Sequence, residues 1–361
     1  MADPLPSLSP EERSLSQPNL SGFDSQPPEI AISPRTDTKP AASLNQKGQS
    51  QTIAILGLGA WGSTLMRLAN QQGHRVAGWR RSPGKSLASI TSQAHLIISA
   101  LPIKAVRPVA EQLAKLSLPT ETILVSATKG LEPESVQTAA QIWQAMLPQV
   151  SVVVLSGPNL SAEIMQGLPA ATVIAGEPEA TARIQSILAS SAFRIYTNPD
   201  RIGVELGGVL KNVMAIACGV NDGLNLGINA RSALITRALV EMIRVGSHWG
   251  GQVTTFYGLS GLGDLLATCT SSLSRNYQVG CGLAEGKSLE QVLSEIVGTA
   301  EGVNTAPVLA NYAEQQGLEI PITQEVCALL TGRKTPTQAI ADLLDRPFKP
   351  EVSNLPPIRL I

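Results

Sequence analysis

The feature that most constrains this chain is a glycine-only turn between an apolar run and the start of a helix. Residues 53–56 are apolar, and Gly57, Gly59 and Gly62 follow in a Gly-x-Gly-x-x-Gly pattern. In such a turn the first glycine makes the bend, the second lets a phosphate approach the backbone, and the third lets helix and strand pack closely. A pyrophosphate there faces free N–H groups and the positive end of a helix dipole. The pattern predicts dinucleotide binding, and the alternative is a tight turn without a ligand.

The end of the next predicted strand bears on which dinucleotide binds. Strand 75–79 is followed by Arg80 and Arg81, where an NAD-selective site usually has an acidic residue for the ribose 2′-hydroxyl. Two guanidiniums can instead bind a 2′-phosphate through charge-assisted hydrogen bonds. This favours NADP over NAD as the cofactor, and the alternative is a pair of solvated arginines.

Composition excludes several classes of function. The chain has 361 residues, 43% of them hydrophobic, so it can bury a large core, and its net charge of −1 gives no reason to expect nucleic-acid binding. No run reaches the roughly 18 uninterrupted apolar residues of a membrane span. The chain has four cysteines without CxxC or metal-ligand spacing: Cys218, Cys269, Cys281 and Cys327. This spacing predicts that they bind no metal and that they are buried thiols of a protein in a reducing, cytoplasmic compartment.

Four segments differ in pattern. Residues 1–51 are rich in Pro, Ser and Gln and predict a disordered tail without a targeting signal. Residues 52–198 alternate strand-like and helical runs, whereas residues 199–345 have helical apolar spacing only. The fold class is therefore α/β: a Rossmann-type, doubly wound, mostly parallel sheet, followed by an all-α domain and an irregular tail at 346–361. The predicted strands are 52–56, 75–79, 95–100, 122–127, 151–155, 171–175 and 193–197.

Unusual residues collect at the carboxyl ends of these strands, where parallel sheets bind ligands. Lys129 follows strand 122–127, and Gly157 and Asn159 follow strand 151–155. A lysine directly after a buried strand is unexpected, unless it merely caps the strand end in solvent. We therefore expect these strand ends and the glycine turn to line one common cleft.

The helical part holds three further candidates. Lys211 lies in a helix that is apolar on nearly all sides, and a buried lysine has a lowered pKa that suits acid–base catalysis. Asp264 follows a glycine-rich bend and can hold a lysine or a substrate hydroxyl. Ser274, Arg275 and Asn276 form a group suited to a phosphate. The alternative for Lys211 is a side chain that snorkels to the surface. The alternative for Asp264 is an ordinary helix N-cap, and that for residues 274–276 is a solvated loop.

These motifs resemble the bacterial NAD(P)-dependent glycerol-3-phosphate dehydrogenases over roughly residues 52–345. The resemblance implies reversible hydride transfer between NAD(P)H and dihydroxyacetone phosphate, giving sn-glycerol 3-phosphate for phospholipid synthesis, and a homodimer. The motifs, in order, are the glycine turn, 127–132, 156–158, Glu163, 206–208 with 211–212, 261–264, 274–276, 301–302 with 304–305, and 321–323.

Family roles carry over to matching positions. By resemblance Lys211 is the catalytic acid/base, and Lys129, Gly157, Asn159, Asp264, Ser274, Arg275 and Asn276 join it in binding substrate. The implied cofactor contacts are Gly57, Gly59, Ala60, Trp61, Gly62, Arg80, Arg81, Lys129, Ser161, Arg275, Thr299 and Glu301. Thr299 stands where the family often has valine. The 82–94 connection is shorter than usual, which predicts that either the adenine side of the cofactor site or part of the substrate entrance is more open.

Two other interpretations remain open at this point. A β-hydroxyacid or 6-phosphogluconate-type dehydrogenase shares the two-domain plan and a catalytic lysine, but the 274–276 group argues against it. A catalytically silent NADP-binding sensor would bind cofactor without turnover.

Overall fold

The seven predicted strands form one sheet in the computed structural model, which describes residues 50–81, 86–348 and 350–351. Their order is β2-β1-β3-β4-β5-β6-β7, and every neighbouring pair is parallel except β5 and β6. The mostly parallel sheet is therefore confirmed. The strands are β1 (Thr52–Leu56), β2 (Arg75–Trp79), β3 (Leu96–Ser99), β4 (Ile123–Ser126), β5 (Ser151–Ser156), β6 (Ala170–Ala175) and β7 (Phe193–Asn198).

The strand order creates a crevice at the carboxyl end of β1. The chain leaves β1 to build β2 on one side and later β3 on the other, which makes this a topological switch point. Backbone hydrogen bonds hold the strand ends level: Gly57 donates to Trp79 O at 2.9 Å and Ala100 donates to Leu56 O at 2.8 Å. The predicted ligand-binding edge is thus formed by adjacent strands.

Helices cover both faces of the sheet, as the doubly wound prediction requires. One apolar cluster contains Leu65 of the first helix and Ile184 of the sixth; the other contains Val106 of the third and Trp143 of the fourth. These helices are α1 (Ala60–Gln71), α2 (Leu87–Thr91), α3 (Ile103–Leu113), α4 (Ala139–Met146), α5 (Ser161–Met165) and α6 (Pro178–Leu188).

From residue 199 onward the described residues contain helices and no strand, which confirms the helical second part. The α-helices are α7 (Arg201–Gly223), α8 (Gly227–His248), α9 (Val253–Phe256), α10 (Asp264–Cys269), α11 (Arg275–Ala284), α12 (Leu289–Glu295), α13 (Glu301–Gln316), α14 (Pro321–Leu330) and α15 (Pro336–Leu344), with a π-helical turn at Leu259–Gly263.

Helix α7 is the centre of this part, with α8, α10, α11 and α13 packed around it. Its contact with α11 is made backbone to backbone, because a side chain at Gly219 would overlap Tyr277 O and one at Gly280 would overlap Ile216 O. Among the described residues, α7 alone is long and apolar enough to span a membrane by composition, but 94% of its most apolar window is buried inside the protein. A helix that is apolar on all sides is explained here by its central position.

Parts of the two predicted tails and of the short connection after β2 lie outside the described residues. The predicted disordered tail lies outside them except for Ser50 and Gln51, and residues 82–85 of the short connection also lie outside. The described part of the C-terminal tail has no helix or strand, and Arg346 pairs with Glu319. The division into two domains stays a prediction, since residues 50–351 fall in one compact unit. The expectation of buried thiols holds for three cysteines, but Cys281 of α11 is only partly buried.

Candidate active site

The glycine turn opens onto the start of α1. Gly57 has φ +94°, and a side chain there would lie 2.7 Å from Ala100 O, so only glycine fits. Gly62 must be glycine because a side chain would overlap Gly57 O, whereas the space beside Gly59 is empty within 4 Å. No side chain caps α1, and its first turn, which includes Ala60 and Trp61, has no acidic residue. The residues present therefore fit a bound pyrophosphate.

Arg80 and Arg81 extend this site past the end of β2. Both side chains are exposed, and neither makes an ion pair with any part of the chain that the structure describes. The hydrogen bond from Gly57 N to Trp79 O holds the end of β2 against the glycine turn. The two guanidiniums thus lie at the predicted edge and are free for an anion.

Lys129 reaches across the strand ends from the loop after β4. Its Nζ donates to Gly157 O at 3.3 Å and to Asp264 Oδ2 at 2.6 Å, and its side chain is 20% exposed. The structure therefore excludes the alternative of a solvated strand cap. Gly157 itself has φ +145°, which an L side chain rarely adopts. Asn159 lies beside it, with its Nδ2 donating to Thr172 Oγ1 at 2.8 Å.

The glycine-rich bend that precedes Asp264 is a π-helical turn packed on α7. A side chain at Gly207 would lie 2.6 Å from Ser260 O, so glycine is needed for the two backbones to meet. This contact brings Asp264, the first residue of α10, against the next turns of α7. Its carboxylate is 2% exposed and therefore needs positive partners.

Lys211 provides one of those partners. Its Nζ donates to Asp264 Oδ1 at 2.7 Å and to Thr268 Oγ1 at 2.5 Å, and the residue is only 7% exposed. The snorkelling alternative is wrong, because α7 is enclosed by other helices along this turn. Desolvation lowers the pKa of Lys211 to about 8, against the raising effect of Asp264, and the nearby positive Lys129 lowers it further.

One carboxylate thus holds two ammonium groups, one from the sheet edge and one from α7. Gly208 makes room for this arrangement, since a side chain there would lie 3.2 Å from Lys129 Cε and would overlap Ser156 Oγ. The hydroxyl of Ser156 is buried without a hydrogen-bond partner among the described residues. The result is a buried, positively charged centre at the carboxyl end of the sheet.

Residues 274–276, at the start of α11, also contact α7. Asn276 donates to Asn212 Oδ1 at 3.0 Å and accepts from Gly302 N at 2.9 Å, which ties α11 to α7 and α13. Ser274 is the N-cap of α11 and accepts from Tyr277 N at 3.3 Å. Arg275 is exposed and makes no ion pair within the described ranges, so its guanidinium is available to a ligand.

The predicted cofactor contacts at the start of α13 lie near the sheet edge. A side chain at Gly130 would lie 3.2 Å from Glu301 Oε2, so this carboxylate faces the Lys129 loop. Oε2 is buried without a hydrogen-bond partner in the described structure, and burial raises the pKa of Glu301. Thr299 follows Gly298, where a side chain would lie 2.5 Å from Arg275 Nη1. Ser161 is the first residue of α5, after the Gly157 loop.

Two polar residues of this centre were not among the sequence candidates. Thr268 lies one turn after Asp264 on α10. The i, i+4 spacing of the two residues could have indicated that they lie on the same face of a helix. Asn212 follows Lys211 in a helix that is apolar on nearly all sides. A polar residue in such a helix could have been singled out for the same reason as Lys211 was.

Family models match both parts of the chain. The model described as NAD-dependent glycerol-3-phosphate dehydrogenase C-terminus matches residues 200–341, and its N-terminal counterpart matches residues 82–182. The chain belongs to the NAD-dependent glycerol-3-phosphate dehydrogenase family. It is 63% identical over 303 residues to glycerol-3-phosphate dehydrogenase (NAD(P)+) of Thermosynechococcus vestitus, which covers 84% of this chain and 98% of that relative. The corresponding protein of Trichormus variabilis is 58% identical over 304 residues, with 84% and 99% covered.

A solved structure supports the same membership in this dehydrogenase family. Glycerol-3-phosphate dehydrogenase from Coxiella burnetii is 34% identical, with a TM-score of 0.78, and the match covers 82% of this chain and 99% of that one. The resemblance stated from the motifs is therefore confirmed, and NAD or NADP is the family's cofactor. The β-hydroxyacid dehydrogenase interpretation gains no support from these matches.

Proposed function

We propose that this chain transfers hydride reversibly between NAD(P)H and dihydroxyacetone phosphate, forming sn-glycerol 3-phosphate, with Lys211 as the acid/base. The observation that carries the proposal is the Lys211–Asp264–Lys129 bridge at the sheet edge, beside a glycine turn that fits a pyrophosphate. The direct test is loss of NADPH absorbance when dihydroxyacetone phosphate is added. The same assay with a β-hydroxy acid and NADP⁺ tests the other dehydrogenase class, and cofactor binding without turnover would support the silent sensor.

When bound at the glycine turn, NAD(P)H would supply the hydride for the carbonyl carbon. During reduction Lys211 Nζ gives a proton to the carbonyl oxygen, and during oxidation it takes the proton back. With a pKa of about 8, this ammonium is a usable acid and its amine a usable base near neutral pH. Asp264 orients Lys211, while Lys129 adds a second positive charge that stabilises negative charge on the oxygen.

The phosphate of the substrate is bound, in this proposal, at the start of α11. Arg275 offers a guanidinium that has no ion-pair partner among the described residues, and Asn276 keeps one amide hydrogen after its bond to Asn212. Ser274 contributes mainly by capping the helix whose N-terminus faces the phosphate. Gly157 and Asn159 line the opposite side.

We further propose a preference for NADPH, a homodimer and a cytoplasmic role in glycerophospholipid synthesis. The NADPH preference rests on Arg80 and Arg81. The homodimer and the role in lipid synthesis rest on the family resemblance, and the cytoplasmic location rests on the four cysteines without CxxC or metal-ligand spacing.

The pH dependence of the two directions should be opposite. Reduction needs protonated Lys211, so kcat/KM for dihydroxyacetone phosphate should fall above about pH 8. Oxidation of sn-glycerol 3-phosphate needs the neutral amine and should rise until about pH 8 and then level. Initial rates in both directions between pH 6 and 10 test this, and parallel profiles would contradict the role of Lys211.

Removing both arginines should reverse the cofactor preference. Because each charge-assisted hydrogen bond to a 2′-phosphate contributes about 1.5–3 kcal/mol, Arg80→Ala with Arg81→Ala should weaken NADPH binding by at least tenfold. NADH binding should change less than threefold. Fluorescence titration with both cofactors measures this. Arg75→Ala, at the opposite end of β2, is the matched control, and equal losses for NADPH and NADH would refute the assignment.

A further inference from the structure

A second buried carboxyl group lies on α7, away from the reacting centre. Glu205 is 4% exposed and lies six residues before Lys211 on the same helix. Its Oε1 accepts a hydrogen bond from Ala140 N at 2.8 Å. Ala140 is the second residue of α4, so the carboxyl group meets the N–H groups at the start of that helix, which favour an anion.

The start of α4 is the end of the loop that carries Lys129. Within this loop Leu131 pairs with Thr138, and Glu132 N donates to Gln137 O at 2.9 Å. The side chain of Glu132 is held in turn by Arg107 of α3, with Nε donating at 2.6 Å. The loop is therefore a closed unit, and a shift of its Thr138 end moves its Lys129 end.

Glu205 consequently joins the two segments that carry the lysines. A second tie lies one turn earlier on α7, where Arg201 donates to Gln144 Oε1 of α4 and to Val152 O of β5, both at 3.1 Å. The Arg201 bonds fix the first turn of α7 against the sheet. The Glu205 bond fixes the next turn against the loop itself.

We propose that Glu205 is a positioning residue for hydride transfer: its hydrogen bond to Ala140 sets α7 against the β4–α4 loop, and so sets Lys211 relative to Lys129 around Asp264. This inference rests on the proposed function. Misplacement of a reacting group by about 1 Å can cost up to 10²-fold in rate, so an anchor at this position has a large effect without contacting the substrate.

The charge of the Glu205 side chain changes between pH 6 and pH 8. Burial raises the pKa of Glu205 to about 7, although Thr138 and Ala140 of α4 and the charged Arg201 of its own helix act in the opposite direction. The carboxylate accepts more strongly from Ala140 N than the neutral acid does. The anchor is therefore stronger at pH 8 than at pH 6.

The test is Glu205→Gln in the full chain, which keeps an acceptor for Ala140 N but removes the charge. At pH 8 we expect kcat for dihydroxyacetone phosphate reduction to fall about tenfold, with the NADPH dissociation constant within twofold of wild type. At pH 6, where the wild-type group is itself mostly neutral, the two values of kcat should converge. A purely structural role would lower stability and leave the ratio of kcat values independent of pH.

Glu241→Gln is the matched control. Glu241 is also fully buried, and it accepts from Ile322 N and Thr323 N at 2.9 Å each at the start of α14. It joins no lysine-bearing segments, so its variant should lose stability but keep kcat within twofold at both pH values. If Glu205→Gln does not fold, Glu205→Asp keeps the charge, withdraws the carboxylate by one methylene, and should lower kcat at least as much.

The two failures are distinguishable. A folded variant with wild-type kcat at both pH values overturns the positioning role and leaves the proposed function standing. An inactive wild-type chain overturns the proposed function and the positioning role with it.

Discussion

Replacing Lys211 with methionine is expected to lower dihydroxyacetone phosphate turnover by about 10²–10⁴-fold and to leave NADPH affinity within twofold. General acid catalysis contributes rate factors of this size, and no other ammonium occupies the place of Lys211 on α7. Methionine has a similar length, and Asp264 keeps Lys129 as its counter-charge, so the fold should persist. Steady-state rates and a fluorescence titration with NADPH measure the two effects.

The control for this variant is Lys115→Met, which removes an exposed lysine outside the site. It should leave both measurements unchanged. Turnover above a few per cent of wild type in folded Lys211→Met would assign the proton transfer to another group, and a parallel loss of NADPH binding would indicate a wider structural defect.

Replacing Asp264 with asparagine should affect both turnover and stability. The carboxylate is shared by two ammonium groups, and breaking a buried ion pair on one side costs about 3–5 kcal/mol in the free energy of unfolding. Because Asp264 raises the pKa of Lys211, its loss should lower that pKa further and leave the lysine neutral at pH 7.5. Reduction should then fall at least 10²-fold and recover partly at lower pH. Urea denaturation and pH–rate profiles test the two parts.

Asp222→Asn is the matched control for this experiment. Asp222 also accepts from several side chains, namely Arg231 at 2.7 Å, Tyr277 at 2.6 Å and Asn221 at 2.9 Å, but it lies apart from both lysines. Its loss should lower stability and leave turnover near wild type. Equal activity of Asp264→Asn and Asp222→Asn would refute the catalytic importance of the shared carboxylate.

The sheet could be predicted because its signals are local. Short β-branched runs, the glycine turn and the alternation with helices each occupy a few residues, so the strand positions are correct to within one residue. The burial of Lys211 was equally predictable, since its helix is apolar on nearly all sides. The antiparallel pairing of β6 with β5 was not specified, because the hydrophobic pattern of a strand buried on both faces carries no direction.

The sequence predicts that Asp264 can hold a lysine or a substrate hydroxyl, but local patterns could not show that Lys129 and Lys211 share its carboxylate. Lys129 and Asp264 are 135 residues apart, and Lys211 and Asp264 are 53 apart. Their meeting depends on the backbone contact between Gly207 and the π-helical turn, and a π-turn has no sequence signature that distinguishes it from an ordinary glycine-rich bend. The capping role of Ser274 was not predicted, since the pattern at residues 274–276 indicates a phosphate-binding group or a solvated loop and does not mark the start of a helix.

The central position of α7 has a consequence for how this enzyme loses activity. Amide groups of enclosed core helices exchange with solvent mainly through global unfolding, whereas loops and termini open locally. Lys211 lies on such a helix, so local fraying of the chain does not release it. The ammonium group that we propose as the proton donor is therefore lost only when the helical part as a whole unfolds, and inactivation by heat should coincide with cooperative melting.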